Sequence, residues 1–282
     1  MNKLTRLLIL GASGATASYA TVGQAADWNC KFTADRSATV DATGAKKIVI
    51  GAGAGDLSVR GQDGQASLQA SGRACASSEE LLGKIQLESR REGDTIYLKT
   101  VFPEISDAIF GFNRYASMDL TVVVPKSAVI ALEDSSGDLE LAGVQSAVVA
   151  DSSGDMDIGN VAGDLAVTDS SGDIEIEKIG GNLSVRDSSG DMEIEAIQGA
   201  VAIPVDSSGD IQIERVAGSV HILNDSSGEI AIRQVKRDVR IDVDSSGDIR
   251  VDDIGGNFTV GADGSGDIRH SKVAGTVQVP EE

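Results

Sequence analysis

Residues 169–185 read DSSGDIEIEKIGGNLSV and are one copy of a repeat that fills the second half of the chain. Ile174 and Ile176 alternate with acidic residues, as expected for a strand with one buried face. Leu183 and Val185 predict a second strand of the same kind. Glycines lie before and between these strands, where the chain has to turn. The stretch therefore predicts two short strands per repeat, joined by glycine-containing turns.

The repeat recurs at a nearly constant spacing of 17 to 19 residues. The motif Asp-Ser-Ser-Gly-Asp, with two variants of it, begins at Asp134, Asp151, Asp169, Asp187, Asp206, Asp225, Asp244 and Asp263. Such a period predicts stacked coils, because one unit is too small to bury its apolar face alone. Every copy has glycine at the fourth position of the motif, which predicts a positive φ or a close backbone approach there.

We therefore predict an all-β fold, a single-stranded parallel β-helix (a solenoid) of about eight coils that follows an irregular N-terminal β region. Helical repeats, with periods of about 33 to 47 residues, do not fit this spacing. A left-handed hexapeptide helix has coils of similar length, but the apolar residues here lack its rhythm, which favours a right-handed form. Residues 52–59 predict an early degenerate coil, and residues 118–124 predict a strand. Ser77 and Glu80 predict a capped short helix that ends at Gly83.

The N-terminus has the features of a targeting segment. Lys3 and Arg6 precede a short run of apolar and small residues, and a small-x-small cleavage site follows. The run is too short to span a bilayer. We predict a signal peptide at 1–25, an N-terminal β region that caps the solenoid at 26–117, and the β-helix at 118–282. The protein is expected to be exported, to the periplasm, the cell surface or the medium, with no membrane span after cleavage.

The sequence contains two cysteines, Cys30 and Cys75. In an oxidising compartment they most simply form a disulfide with each other, and two separate buried thiols are the alternative. Residues 102–117 carry a cluster of large apolar and aromatic side chains. We predict that this loop plugs the N-terminal end of the solenoid, and an exposed sticky loop is the alternative. His270 takes an inward position in the last coil, where we expect it to form part of a cap.

Charge and composition exclude several classes of function. The chain has 24 basic and 44 acidic residues, a net charge of −20, and 3% aromatic residues. A surface this acidic argues against binding to nucleic acid or to anionic membranes. The solenoid has almost none of the aromatic or basic residues that sugar-binding grooves use. The acidic residues recur in every coil, whereas a pair of catalytic carboxylates should occur at only one place in the chain. We therefore predict no catalytic residues, no bound cofactor and no enzymatic activity.

The acidic residues of the turns need an explanation, because stacking the coils in register brings carboxylates close together. Either the aspartates cap backbone N–H groups, which is the explanation we favour, or calcium ions bridge neighbouring coils. The calcium candidates are Asp134, Asp138, Asp151, Asp155, Asp169, Asp173, Asp187, Asp191, Asp206, Asp210, Asp244 and Asp248. Between the first two inward residues, one strand position changes from acidic to basic along the stack. It reads Glu140, Asp157, Glu175, Glu193, Gln212, Ala231, Arg250 and Arg269.

The repeats, the Gly-Asp-Leu-Ser-Val strand at 55–59 and the export signal resemble the bacterial β-strand-repeat putative-adhesin family. Its members are exported proteins of unknown function, so the resemblance implies the solenoid and no site residues. We predict a non-catalytic binding or structural protein of the cell envelope, adhesin-like, whose ligand is an unidentified protein or glycan. A periplasmic cation-binding scaffold is the alternative, and a polysaccharide lyase or hydrolase is the third reading.

Overall fold

The computed structural model describes residues 30–103 and 114–280. The predicted signal peptide and the middle of the predicted plug loop lie outside the described residues. The N-terminal elements are β1 (Phe32–Asp41), β2 (Lys47–Gly51), β3 (Leu57–Gln62), β4 (Ser67–Ala76), α1 (Glu79–Lys84), β5 (Gln86–Glu92), β6 (Thr95–Val101) and β7 (Ala116–Pro125). No helix within the described part of the chain is long and apolar enough to cross a membrane.

The repeats form the remaining strands, two to a coil, and confirm the predicted all-β parallel solenoid. These strands are β8 (Val129–Glu133), β9 (Leu139–Ala142), β10 (Ser146–Ala150), β11 (Met156–Val161), β12 (Leu165–Thr168), β13 (Ile174–Ile179), β14 (Leu183–Arg186), β15 (Met192–Ile197), β16 (Val201–Val205), β17 (Ile211–Val216), β18 (Val220–Asp225), β19 (Ile230–Val235), β20 (Val239–Asp244), β21 (Ile249–Ile254), β22 (Phe258–Asp263), β23 (Ile268–Val273) and β24 (Val277–Gln278). The handedness of the solenoid and the predicted division into domains stay predictions.

Two 12-stranded sheets face each other across the apolar core. Sheet I has the order β1-β4-β7-β3-β9-β11-β13-β15-β17-β19-β21-β23, and sheet II has the order β24-β22-β20-β18-β16-β14-β12-β10-β8-β2-β6-β5. Within sheet I, Ile174 pairs with Met192, and Ile176 pairs with Ile194. All four side chains are at most 2% exposed, so each inward residue rests on its equivalent in the next coil. This stacking buries a continuous core made almost entirely of aliphatic side chains.

Each coil runs from a strand of sheet II through an Asp-Ser-Ser-Gly-Asp segment, which we call the aspartate turn, to a strand of sheet I. The glycine of this turn has a positive φ, as predicted. At Gly190 φ is +138°, and an added Cβ would lie 1.9 Å from the carbonyl oxygen of Gly172 in the preceding coil. Only glycine fits both the conformation and the close approach of the coils.

The strands of sheet I contain a bend that the sequence did not predict. The residue before the third inward position has φ between 50° and 61° although it is not glycine. These residues are Asn160, Lys178, Ala196, Arg215, Gln234, Asp253 and Lys272. The bend places two successive residues on the outside and returns the next one to the core. Ile179, which follows Lys178, is therefore fully buried.

The N-terminal coils are not stacked in chain order. Strand β2 lies between β6 and β8, and β3 lies between β7 and β9. The coil at β2–β3 confirms the predicted degenerate coil. The chain then leaves the stack through β4, α1 and β5 and returns to add the β6–β7 coil outside it. Strands β1, β4 and β5 pair antiparallel with their neighbours and form the irregular N-terminal β region.

Three local features complete the comparison with the sequence. Cys30 and Cys75 are disulfide-bonded, as predicted. The helix cap is Ser78 and not Ser77, because Ser78 Oγ accepts the N–H of the buried Leu81. Ser77 Oγ instead accepts the backbone N–H of Tyr115 at 3.2 Å. In the last coil the ring of His270 lies 6.1 Å from that of Phe258, which is fully buried.

Candidate functional site

The two aspartates of each aspartate turn lie in different environments. The first, the inner aspartates, are Asp134, Asp151, Asp169, Asp187, Asp206, Asp225, Asp244 and Asp263. All except Asp263 are at most 5% exposed. The last residues of the turns, the outer acids, are Asp138, Asp155, Asp173, Asp191, Asp210, Glu229, Asp248 and Asp267. The outer acids lie at the surface, so one five-residue turn holds a buried and a solvated carboxylate.

The outer acids cap the backbone of the following coil. The backbone N–H of Asp173 donates to Oδ1 of Asp155 at 3.0 Å, and that of Asp191 donates to Oδ1 of Asp173 at 3.0 Å. The N–H of Asp210 continues the series to Asp191 at 2.9 Å. This is the capping that the sequence predicts, although it acts between coils and not within one turn. Charge-assisted hydrogen bonds of this kind offset the repulsion between neighbouring carboxylates.

The serines of the turns form a second ladder. The hydroxyl of Ser189 donates to the carbonyl oxygen of Ser170 at 3.1 Å, and that of Ser171 donates to the carbonyl of Ser152 at 3.2 Å. The same contact recurs along the stack. From Ser153 to Ser246 the second serine of the motif therefore joins one coil to the next, as the outer acids do.

The inner aspartates have few such partners. Asp134 and Asp187 each accept one N–H, from Ser135 at 2.8 Å and from Ser188 at 2.7 Å. Neither carboxylate oxygen has a hydrogen bond of normal geometry at Asp151, Asp169, Asp206 and Asp225. The backbone N–H groups of the following serines still act on these carboxylates and lower their pKa values. These N–H groups lower the pKa values by less than burial raises them.

Burial raises the pKa of the inner aspartates from Asp134 to Asp244, and at Asp151 and Asp225 neighbouring carboxylates of the column add to it. The pKa rises from 3.8 to about 7 at Asp134, to about 6 at Asp187 and to about 8 at Asp225. Asp225 pairs in register with Asp244, and an isolated β-bridge joins it to Asp206. Because these carboxyl groups are adjacent across coils, ionising one raises the pKa of the next.

The predicted calcium candidates thus separate into an inner and an outer set. Nowhere in residues 30–103 and 114–280 do three or more His, Cys, Asp or Glu side chains gather closely enough to hold a metal among themselves. The inner aspartates instead approach one another in pairs along the stack. Calcium binding stays a prediction, and the geometry places the oxygens without partners in the inner set.

The outward surface of sheet I carries a second group of acids. Glu175 pairs with Asp157 and Glu193, as the strand position in the sequence predicts. A parallel column two residues further on aligns Glu177, Glu195 and Glu214. The acidic face, as we call this surface, comprises Glu140, Asp157, Glu175, Glu177, Glu193, Glu195 and Glu214. The second column recurs in the repeat with the same period, so the sequence contained the signal for it.

The electrostatics of this surface change towards the C-terminal coils. Burial and the nearby Glu140 and Glu177 raise the pKa of Asp157, as expected where like charges crowd together. Arg250 contacts Glu229 and lies 2.8 Å from Oδ2 of Asp248. Arg269, at the same position of the next coil, likewise contacts the turn acids Asp248 and Asp267. The predicted change from acidic to basic is therefore a change from carboxylates to arginines at one strand position. Ion pairs occur on both parts of the surface, since Glu140 pairs with Arg60 and Glu214 pairs with Arg215.

A family model described as Toastrack DUF4097 matches residues 45–278, which is most of the chain. The chain belongs to the Toastrack DUF4097 family. This family has no established function. The match covers both the N-terminal coils and the aspartate turns of this Toastrack protein.

The solved structures that the chain matches are distant in sequence. One from Clostridium sporogenes, described as a "putative cell adhesion protein", is 11% identical, with a TM-score of 0.34, and the match covers 89% of this chain and all (100%) of that one. Two from Parabacteroides distasonis have TM-scores of 0.42, each over 88% of this chain and 97% of the other. They are described as a "putative lipid binding protein" (18% identical) and a "putative adhesin" (15% identical). No curated protein matches the chain. Likeness at this level says nothing about function.

Proposed function

We propose that this Toastrack protein is a non-catalytic binding or structural protein of the bacterial cell envelope, adhesin-like in its action. It is exported by the N-terminal signal peptide to the periplasm or the cell surface. The observation that carries the proposal is the acidic face, which repeats the same outward carboxylates from coil to coil in parallel register. A surface of this kind suits many identical weak contacts rather than one deep pocket.

The geometry of the solenoid supports binding by avidity. Equivalent strand positions of neighbouring coils lie about 4.8 Å apart, the spacing of strands in a sheet. Glu175 and Glu193 are both exposed, and their carboxylates have no hydrogen bond or ion pair with residues 30–103 and 114–280. A partner with basic groups along its length could engage several such positions at once, and linked weak contacts multiply affinity. The partner is a protein or a glycan of the envelope or of the exterior.

The same regularity argues against a lyase or hydrolase. Acid–base catalysis on a sugar needs one pair of carboxylates at a defined separation, with different pKa values. On the acidic face equivalent acids recur in successive coils, so the surface has several similar pairs of carboxylates and not a single one. An enzyme would lose turnover when one acid is changed to its amide, whereas a multivalent face would lose binding gradually.

The proposal is tested with a double variant and a matched control. Glu175→Gln with Glu193→Gln removes two charges from the acidic face, and Glu88→Gln with Glu133→Gln removes two exposed charges from sheet II. We would measure binding of the purified proteins to isolated envelopes of the producing bacterium, together with the location of the native protein by fractionation. The acidic-face variant should lose at least about tenfold in affinity, and the control should not. Equal affinities of the two variants, or a cytoplasmic location, would refute the proposal.

The inner aspartates favour the second candidate, a periplasmic cation-binding scaffold. Their unpaired oxygens lie inside the turns and take no part in the acidic face. The two functions are compatible, because they use different carboxylates of the same coils.

A further inference from the structure

The outward surface of sheet II is apolar where that of sheet I is acidic. Among residues 30–103 and 114–280, six large apolar side chains are exposed, and five of them lie on strands of sheet II. These five are Val129, Val148, Val205, Leu223 and Val243, and Val148 is the most exposed at 59%. Exposed apolar side chains gathered on one surface of a protein indicate a contact with another molecule.

The apolar surface is continuous because its residues lie in register. One column of side chains crosses strands β2, β8, β10, β12, β14 and β16 at their centres and contains no charged residue. It consists of Val49, Ala131, Val148, Ala166, Ser184 and Ala202. Each of them lies between two buried residues of its strand, so its side chain points outward. We call the outward surface of these six strands the neutral face.

Two opposite charges lie symmetrically on the neutral face. The five strands from β8 to β16 contain one acidic residue, Glu133, and one basic residue, Arg186, each at the end of its strand. Ala150 and Thr168 lie between them in the same column, so their midpoint falls between β10 and β12. The two charged residues are three strands apart, about 14 Å, which is too far for an ion pair within one chain.

We propose that the neutral face binds the neutral face of a second copy of this chain, an interaction that goes beyond the proposed function. The two copies are related by a twofold axis that runs along the strands, midway between β10 and β12. This rotation places Glu133 of each copy opposite Arg186 of the other, and Val148 opposite Ala166. The two sheets then pack face to face, about 10 Å apart.

The area of the surface is sufficient for such a dimer. The same axis brings β6 opposite β18, so that Tyr97 of one copy faces His221 of the other at both ends of the central column. Eight strands, about 4.8 Å apart and about 16 Å long, offer about 600 Å² per copy and about 1,200 Å² in total. Stable interfaces begin at about this size.

The charge distribution also favours this surface over the others. The chain has a net charge of −20, so two copies repel each other in most orientations. Contact through the acidic face or the aspartate turns would bring carboxylates together, whereas the neutral face brings together apolar residues and opposite charges. The copies therefore approach with least repulsion through sheet II.

The test measures the mass of the purified exported protein by sedimentation velocity. The protein is studied from about 1 to about 100 µM in about 150 mM salt. Val148→Glu places an acid at the centre of the neutral face. Thr121→Glu is the matched control, because Thr121 is an exposed β-branched residue on the outward surface of sheet I.

The wild-type protein and Thr121→Glu should both be dimers at about 100 µM, with dissociation constants of about 10 µM or below. Val148→Glu should bind its second copy at least about tenfold more weakly, because the new carboxylate loses its water in the contact. Its thermal midpoint, measured at about 1 µM, should match that of the wild-type protein, since the side chain is exposed. If Val148→Glu does not fold, Ala166→Glu takes its place.

Charge reversal tests the twofold arrangement itself. Glu133→Arg and Arg186→Glu each bring like charges together twice in the dimer, so each should weaken it at least about fivefold. The double variant restores opposite charges at both places, and its affinity should return to within about twofold of the wild-type value.

A wild-type protein that is monomeric at about 100 µM would overturn the proposal, and so would a dimer that Val148→Glu leaves intact. A double reversal as weak as the single ones would overturn it as well, because Glu133 and Arg186 would then not meet. None of these results affects the acidic face, which lies on the other sheet and is tested by binding to envelopes. The control variant of that test contains Glu133→Gln and keeps the apolar centre of the neutral face.

Discussion

The glycine of the aspartate turn offers the sharpest test of how the coils are stacked. We expect Gly190→Ala to destabilise the protein strongly, because the residue has φ of +138° and an added Cβ would lie 1.9 Å from the carbonyl oxygen of Gly172. The carbonyl belongs to the backbone and cannot turn aside, so the two coils have to separate. Backbone strain costs about 1–3 kcal/mol and overpacking costs about 1–3 kcal/mol. We therefore expect a loss of about 2–6 kcal/mol in the free energy of unfolding.

Two other glycines separate the contributions of conformation and contact. Gly64 has φ of +73°, and an added Cβ there would meet nothing within 4 Å. Gly64→Ala should cost only the strain of the left-handed conformation, about 1–2 kcal/mol. Gly83 lies exposed in α1, also with nothing within 4 Å, and has no positive φ. Gly83→Ala should be neutral or stabilise the helix by up to about 1 kcal/mol.

The assay is thermal and urea-induced unfolding of the three variants beside the wild-type protein. For a chain of this size 1 kcal/mol corresponds to roughly 2–4 °C in the midpoint. Gly190→Ala should lower the midpoint by roughly 10 °C, Gly64→Ala by a few degrees, and Gly83→Ala should not lower it. A midpoint for Gly190→Ala no lower than that of Gly64→Ala would show that the coils are not in the close backbone contact described here.

Three further predictions concern the aspartates and the disulfide. Asp187→Asn should gain stability relative to the wild-type protein as the pH rises from 4 to 7, measured by urea midpoints in EDTA. The pKa of Asp187 is about 6 in the folded state and 3.8 in the unfolded state, so protonation stabilises the folded wild-type protein at low pH. That stabilisation is lost as the pH rises through 6, and the variant does not lose it. An unchanged difference across this range would contradict the raised pKa. Asp191→Ala should lower the unfolding free energy by about 1 kcal/mol in a urea titration, and Asp191→Asn should lower it much less. Of the two substituted side chains, only the amide can still accept the N–H of Asp210. Equal losses in the two variants would contradict the capping. Reduction of the bond between Cys30 and Cys75, which closes a loop of about 45 residues, should lower the unfolding free energy by about 4 kcal/mol, and a midpoint insensitive to dithiothreitol would refute this.

The local pattern of the repeat predicts most of the solenoid, because the residues of each coil are enough to indicate its strands and its turns. Ile174 and Ile176 alternate with acids, and their strand forms at β13 with both side chains buried. The glycine positions predict the turn conformation, since an L side chain there is strained and also meets backbone. The bend at Lys178 has no such signal, because that position accepts lysine, alanine, arginine and asparagine alike.

The order of the N-terminal coils could not be read from the sequence. Strands β2, β6 and β8 all present an apolar residue at alternate positions, so each could pair with either of the others. The observed order, with β2 in the middle, depends on where β4 and β5 take the chain between the two coils. Tertiary packing determines this strand order, and no periodic pattern in the sequence indicates it.

The burial of the inner aspartates follows the alternation of the strands and not the polarity of the residue. Leu183 and Val185 point into the core, and the same alternation continued by two residues places Asp187 inside as well. The residue type argues for the surface, whereas the alternation argues for the interior, and the structure follows the alternation. A buried acidic side chain in every coil costs free energy, and other interactions must offset that cost. At the outer acids the compensation is visible as hydrogen bonds to the next coil. At the inner aspartates it is a raised pKa, about 8 at Asp225, because a protonated carboxyl carries no charge into the interior and can donate a hydrogen bond to its neighbour in the column.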